Sequence, residues 1–534
     1  MLVDILVGRL ALAFKLACLF AFGTLVDSKS NSARIDARLS DLEKQVLKDR
    51  LFQTNLRGPR WTGNENQNVL TSLVAEAMEG AGLDVDTIDY QFYRWDPRWW
   101  SLSLTLTNGS TIGIPTTGYW PYSGSTSLAG VTAPLVDVGT FGLLPNSDGD
   151  PSTLDFTHIA SDGGTIVFFD NPSPTRNYSE PGYHLLGTSR NIPSAAIPEL
   201  GNLTNPHWQS SKTLNWTELH QRGVVAAISS WVNTSDENAA LQFLPNDGSP
   251  GDGSSPNSYQ VPALYVGNST GKMIRNLLAN GGVSNATVVL NAPDVLAQTQ
   301  TVIGHLDGAA ADESDDTIIL YTHSDGPSII EENGPLLLLT IAEHFARYPQ
   351  PILNMSLDFV ITTGHMSGHH LNESAWMRDY PDILANARFA VSVEHFGAIE
   401  WKDDFSSPTM MPIYRATGAL EPIWTMANES KASGPLHESY LNAFDASPSP
   451  LRMALLAPEH LDGSRSMWYG VGGSAILGHS SIPTIGIIPQ PDYLWAASTD
   501  GGWSRLDMDA LMAQMDVMLS LIQKLDARYV PLAH

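Results

Sequence analysis

Four stretches of this sequence place imidazole or carboxylate groups directly after an apolar run. "TIILYT" is followed by "HSD", with His323 and Asp325. "LDFVIT" runs into "TGHMSGHH", with His365, His369 and His370. "RFAVSV" leads to "EHFG", with Glu394 and His395, and "IPTIGIIP" to "QPDYLW", with Asp492. Imidazole nitrogen and carboxylate oxygen are donors that zinc takes readily, and the same groups serve as general acids and bases. Each group also has a plainer reading. A histidine at a strand end is often only a hydrogen-bonded loop residue, and Asp325 could cap a turn. In "EENG", Glu331 and Glu332 could simply favour a helix N-terminus, with Asn333 as its N-cap.

The elements that would position these groups follow from apolar spacing. The β-branched and apolar runs before each group read as strands, and "GPLLLLTIAEHFARY" reads as a helix with a broad apolar face. "LDMDALMAQMDVMLSLIQKLDARY" closes the chain as an amphipathic helix. Strands alternating with helices from residue 293 onward predict an α/β fold, a mostly parallel mixed sheet sandwiched by helices. Ligands bind such sheets beyond the carboxyl ends of the strands, which is where the imidazoles and carboxylates fall. Upstream, residues 31–53 read as a polar helix, 68–80 as an apolar-faced helix stopped by Gly80 and Gly82, and 85–93 as a strand. "WSLSLTL" alternates like a half-buried strand.

Residues 128–292 differ in character. They are rich in Gly, Pro, Ser and Asn, carry short β-like runs such as "GTIVFFD" and "VPALYVG", and allow one helix near 271–279. They read as a β-rich domain inserted between an N-terminal part, 31–127, and a C-terminal part, 293–534, of a larger one.

Composition narrows the function. The 534-residue chain has 29 basic and 56 acidic residues, a formal net charge of -27. So acidic a surface repels nucleic acid and anionic membranes. At the N-terminus, Arg9 and Lys15 precede an apolar run from Leu16 to Val26, too short to span a bilayer and right for the core of a signal peptide at 1–26. Asn-X-Ser/Thr sequons stand at Asn108, Asn177, Asn202, Asn215, Asn233, Asn268, Asn285, Asn354, Asn372 and Asn428. They carry meaning only in a secretory context, so both features point to a secreted glycoprotein with no stable membrane insertion. The one cysteine, Cys18, lies inside the signal, which excludes thiol chemistry from the mature chain.

On these residues the chain resembles the aminopeptidase-like zinc exopeptidases, metallopeptidase family 28. "GPRWTGNENQNVLTSLVAEAMEGAGLDV" is similar to the family's N-terminal segment, "VIGHLDGAAADESDDTIILYTHSDG" to the strand bearing its His-x-Asp motif, and "GGSAILGHSSIPTIGIIP" to its late glycine-serine segment. Residues 128–292 resemble a protease-associated domain. The resemblance implies that His323 is a metal ligand with Asp325 behind it, that Glu332 takes the place of the bridging aspartate, and that Glu394 is a third ligand. The family's Glu-Glu pair, general base and ligand, is His365 and Met366 here, and its final histidine is missing from "DYLWAASTDGG", although His479 lies in the preceding segment. The expectation is a hydrolase of an amide or related acyl bond in a peptide or small molecule, with one zinc ion. His365 would be base, ligand or filler. A peptidase-like binding protein without catalysis, or a recruited non-hydrolytic enzyme, is the alternative. Aromatic clusters such as "YRWDPRWW", and Trp468, Trp495 and Trp503, could line a pocket or belong to the core.

Overall fold

The computed structural model describes residues 38–143, 149–150, 153–159, 164–172, 175–177, 184–192, 202–204, 216–240, 253–256, 258–311, 314–406, 411–427, 434–457, 482–489 and 491–528. The expected signal peptide, Cys18, Asn215, Asn428, Trp468 and His479 lie outside these residues. Among the described residues, no helix is long and apolar enough to cross a membrane.

A nine-stranded mixed sheet organises the fold. Its strands are β1 (Asp84–Trp95), β2 (His184–Arg190), β3 (Asp294–Leu306), β4 (Thr317–His323), β5 (Ser356–Thr362), β6 (Ala387–Val393), β7 (Ile423–Ala427), β8 (Met453–Ala457) and β9 (Thr484–Pro489). Across the sheet they run β1-β3-β5-β4-β6-β9-β7-β8-β2. The centre, β5-β4-β6-β9, is parallel, while β1 and β3 on one flank and β7 on the other join antiparallel. Every residue of β4 and β5 is buried, as befits parallel strands covered on both faces. Ile319 and Tyr321 of β4 pack with Val360, Ala390 and Trp376 on one face. Thr322 points to the other, where helix α3 (Gly334–Ala346) begins and its hydroxyl reaches Glu332.

Helices α1 (Asp41–Arg57) and α2 (Glu65–Ala81) pack on α3, and α2 also lies on β3. Local chemistry sets their ends. Ser40 and Glu43 form a capping box on α1, Asn64 caps α2 through Gln67 N, and Gly82 ends α2 in the left-handed conformation at φ 97°. Helix α4 (Met508–Asp526) starts at Asp507, whose side chain accepts from Ala510 N.

A second, eight-stranded sheet is built from strands between Trp99 and Asn291, with an apolar cluster on each face. Three of its strands, Trp99–Leu106, Thr111–Ile114 and Gly118–Tyr119, precede residue 128, and β2 leaves this stretch of chain to join the edge of the large sheet. The chain departs from β1 at Trp95 and returns into β3 at Asp294, and these two residues are register partners.

Candidate metal centre

The parallel strands β5, β4, β6 and β9 end along one edge, and four buried groups meet there. One ligand atom from each of His323, Glu332, Glu394 and His395 lies within 4.8 Å of the others. His323 is the last residue of β4. Its Nδ1 sits 2.8 Å from the Asp325 carbonyl oxygen, an acceptor only, so Nδ1 donates and Nε2 faces inward. That Nε2 is 3.1 Å from Glu332 Oε2 and 3.8 Å from Glu394 Oε2. Glu332 is folded back by its own helix start, since its Oε1 accepts from Thr322 Oγ1 and from Gly334 N. The glycine of "EENG" is required for this: a Cβ at Gly334 would collide with both Thr322 Oγ1 and the Glu332 carboxylate.

Glu394 and His395 are neighbours in sequence, and in a strand they would point to opposite faces. The backbone leaves β6 just before them, and His395 adopts φ 60°. This left-handed residue swings its ring to the same side as Glu394. His395 Nδ1 donates to Pro489 O at the end of β9 (2.7 Å), leaving Nε2 3.5 Å from Glu394 Oε2 and 3.4 Å from Glu331 Oε2.

His365 follows β5 after Gly364 and stacks on His323, with ring centroids 4.0 Å apart and planes at 26°. Its Nε2 is 3.9 Å from Glu331 Oε1, and its Nδ1 is 3.2 Å from Glu373 Oε2. His323, Glu331 and His365 thus form a second set of ligand atoms within 4.8 Å.

Buried supports hold the loops. Arg60 Nη2 donates to Ser328 O and Glu332 O, both at 2.6 Å. Thr62 and the Met366 amide donate to Asp325 Oδ2 at 2.5 and 2.8 Å, tying the loop after β5 to the loop after β4. Gln67 bonds Ser324 and Thr363 from α2.

The charges are out of balance. Burial pushes the Glu331 and Glu332 carboxyls well above the usual carboxylate range, and nearby carboxylates add to this. Burial opposes charge on His323 too, but Glu332, Asp325 and Glu394 outweigh it and hold the ring's pKa well above its ordinary value. Burial also works against Glu394, yet the charged His323 ring beside it brings it to about 2. Burial pushes His395 down to about 4. His323 Nε2, His395 Nε2, Glu332 Oε2 and both Glu331 oxygens make no hydrogen bond. Buried carboxylates and imidazole lone pairs converging without partners are what a cation would satisfy, and two nitrogens with two oxygens suit zinc.

Of the residues expected at the site, His323, Glu332 and Glu394 come together, and His365 lies at their rim. Asp325 sits behind His323, but its main-chain carbonyl takes the Nδ1 bond and its carboxylate is 3.6 Å away. Three groups beyond those the sequence points to also reach the site: Glu331, His395 and, through His365, Glu373. Asp492 is elsewhere, paired with Lys402 at 3.0 Å, and His370 bonds Tyr93 O. The side chain of His369 is outside the description. Trp495 packs on the second sheet's core and Trp503 on Phe52.

Among the sequons, Asn108, Asn233, Asn354 and Asn372 are exposed, and Asn285 is half-buried. Asn268 is only 6% exposed, and its amide reaches Thr234 O, a placement that does not suit a glycan. The side chains of Asn177 and Asn202 are outside the description.

No family model matches this chain, and no curated protein matches it. Solved structures do. A Peptidase M28 precursor from Shewanella amazonensis SB2B is 14% identical, with TM-score 0.59 over 93% of this chain and 96% of that one. The zinc aminopeptidase BSAP from Bacillus subtilis is 14% identical, with TM-score 0.56 over 92% and 95%. An aminopeptidase from Aneurinibacillus sp. strain AM-1 is 16% identical, with TM-score 0.52 over 92% and 94%. Across most of its length, the chain resembles the zinc aminopeptidases and shares their fold.

Proposed function

We propose that this chain is a secreted, zinc-dependent hydrolase that cleaves an amide or related acyl bond of a peptide substrate, with His365 as general base. One observation carries the reading. His323, Glu332, Glu394 and His395 converge at the carboxyl ends of the central strands, and His323 Nε2, His395 Nε2 and Glu332 Oε2 face inward without a hydrogen bond. These four would hold a single zinc ion. Bound there, the ion supplies the positive charge that polarises a carbonyl and acidifies a water molecule.

The chain's own residues do the rest. Thr322, Gly334 and Pro489 fix the orientation of Glu332 and His395. Burial excludes bulk water from the ligand side. His365, partly exposed at the rim, takes the proton of the attacking water at Nε2 and returns it to the leaving amine. The strand-rich segment 128–292 is read as a protease-associated-like insert, and the exposed sequons as sites of N-glycosylation.

The test joins metal content to turnover. Purified from a secreting host, the protein should carry about one zinc per chain and hydrolyse aminoacyl anilides, and His323→Ala should lose both without losing its fold. A chain that binds no zinc on titration and turns over none of a broad peptide panel is a binding protein on a peptidase scaffold, and the proposal fails.

A further inference from the structure

Glu373 lies eight residues beyond His365, in a turn where Asn372 Oδ1 accepts from Ser374 N. Its carboxylate is shared in a definite way. Oε1 accepts from Tyr321 OH of β4 and from Thr362 Oγ1 of β5, each at 3.0 Å. Oε2 is left for His365 Nδ1 at 3.2 Å. Two hydroxyl donors on one oxygen mark Glu373 as an acceptor anchored to the two central strands.

We propose that Glu373 is the positioning residue of His365. It holds the ring proton on Nδ1, so that the Nε2 lone pair faces the metal cluster. Stacking on His323 fixes the plane of the ring, and Glu373 fixes its rotation and tautomer. An imidazole can accept a proton at only one nitrogen at a time, and the partner of the other nitrogen decides which. The kinetic consequence rests on His365 being the base; the tautomer does not.

Nitrogen-15 NMR of the zinc-loaded full chain, labelled at histidine, reads the tautomer of the neutral ring, with the His365 signal identified by its loss in His365→Asn. The wild type should show the Nδ1–H form. In Glu373→Gln the amide turns its NH2 toward His365 when its oxygen keeps the two hydroxyl donors, and Glu373→Leu, which offers no acceptor at all, serves as the variant free of amide orientation. The ring should then invert to Nε2–H, and kcat should fall by about 100-fold or more with KM little changed. Glu373→Asp, which keeps an acceptor, should restore the Nδ1–H form and part of kcat. An Nε2–H ring in the wild type, or Gln and Leu variants that both keep Nδ1–H, overturns the proposal even if no substrate is found. An inverted tautomer with unchanged kcat leaves Glu373 in its role and removes His365 as base.

Discussion

Asn333 grips Phe396 with both ends of its amide: Nδ2 donates to Phe396 O at 2.8 Å, and Oδ1 accepts from Phe396 N at 3.2 Å. It is the residue before α3, yet its side chain makes no cap bond to the helix. It locks the loop carrying Glu331 and Glu332 to the loop carrying Glu394 and His395. Asn333→Ala should leave both Phe396 groups without partners, at about 1–3 kcal/mol each. Denaturant unfolding should register that loss, and zinc titration should show weaker binding.

Stability should depend on metal. A ligand that binds only the folded chain stabilises it by roughly 4 kcal/mol at a free concentration 1,000 times Kd. Chelation should therefore lower the melting temperature, and zinc should restore it. In His395→Ala the zinc-induced rise should shrink, with affinity falling by at least about tenfold. A rise as large as that of the wild type would remove His395 from the ligand set.

Arg60 should tolerate little change. Its guanidinium is fully buried and donates to Ser328 O and Glu332 O. Burial lowers its pKa to about 10, with Glu332, Asp325 and Glu331 opposing the fall, so it stays charged at neutral pH. Arg60→Met leaves Glu332 O without its partner and Ser328 O with only the Glu332 amide at 3.3 Å, and it removes the only positive charge behind the Glu331–Glu332 loop among the described contacts. A destabilisation of about 3 kcal/mol is expected in chemical unfolding.

One pH effect lies far from the metal centre. Burial acts to raise the Glu43 pKa, but hydrogen bonds from His344 and Ser40 outweigh it and hold the group at about 2, below its ordinary 4.5. His344 Nδ1 and Arg347 Nη1 reach the carboxylate at 2.9 and 2.7 Å, joining α1 to α3. Because the folded-state pKa is the lower one, this stabilisation is complete above 4.5 and is lost as pH falls from there toward 2. Glu43→Gln should lower the melting temperature at neutral pH and make it less sensitive to acid across that window.

The edge that carries the candidate metal cluster was legible because its strands are continuous apolar runs, and the residue types after them are conspicuous. What stayed hidden depends on non-local pairing. Strand β3, "DVLAQTQTVIGHL", mixes polar and apolar residues because β1 and β5 flank it antiparallel. "WSLSLTL" reads as a strand, but nothing local says that its partner is Val283–Asn291. At the site, alternation allows one inward residue per pair. His395 escapes that rule through its backbone conformation, and Glu331 through lying in a loop. Glu373 needed the fold itself, since it meets His365 only after an intervening 3-10 turn.

Trp95 and Asp294 sit across from each other in the β1–β3 ladder, roughly 5 Å apart as paired strand residues are. Nearly two hundred residues thus depart and come home through one doorway. Closing that doorway with a two-residue turn would leave β1 and β3 as an ordinary hairpin and every residue of the metal cluster in place. The far edge would change instead, because β8 would lose β2 and present a bare strand to solvent. Among the described residues, the segment supplies none to the metal-ligand cluster, and it guards the opposite edge.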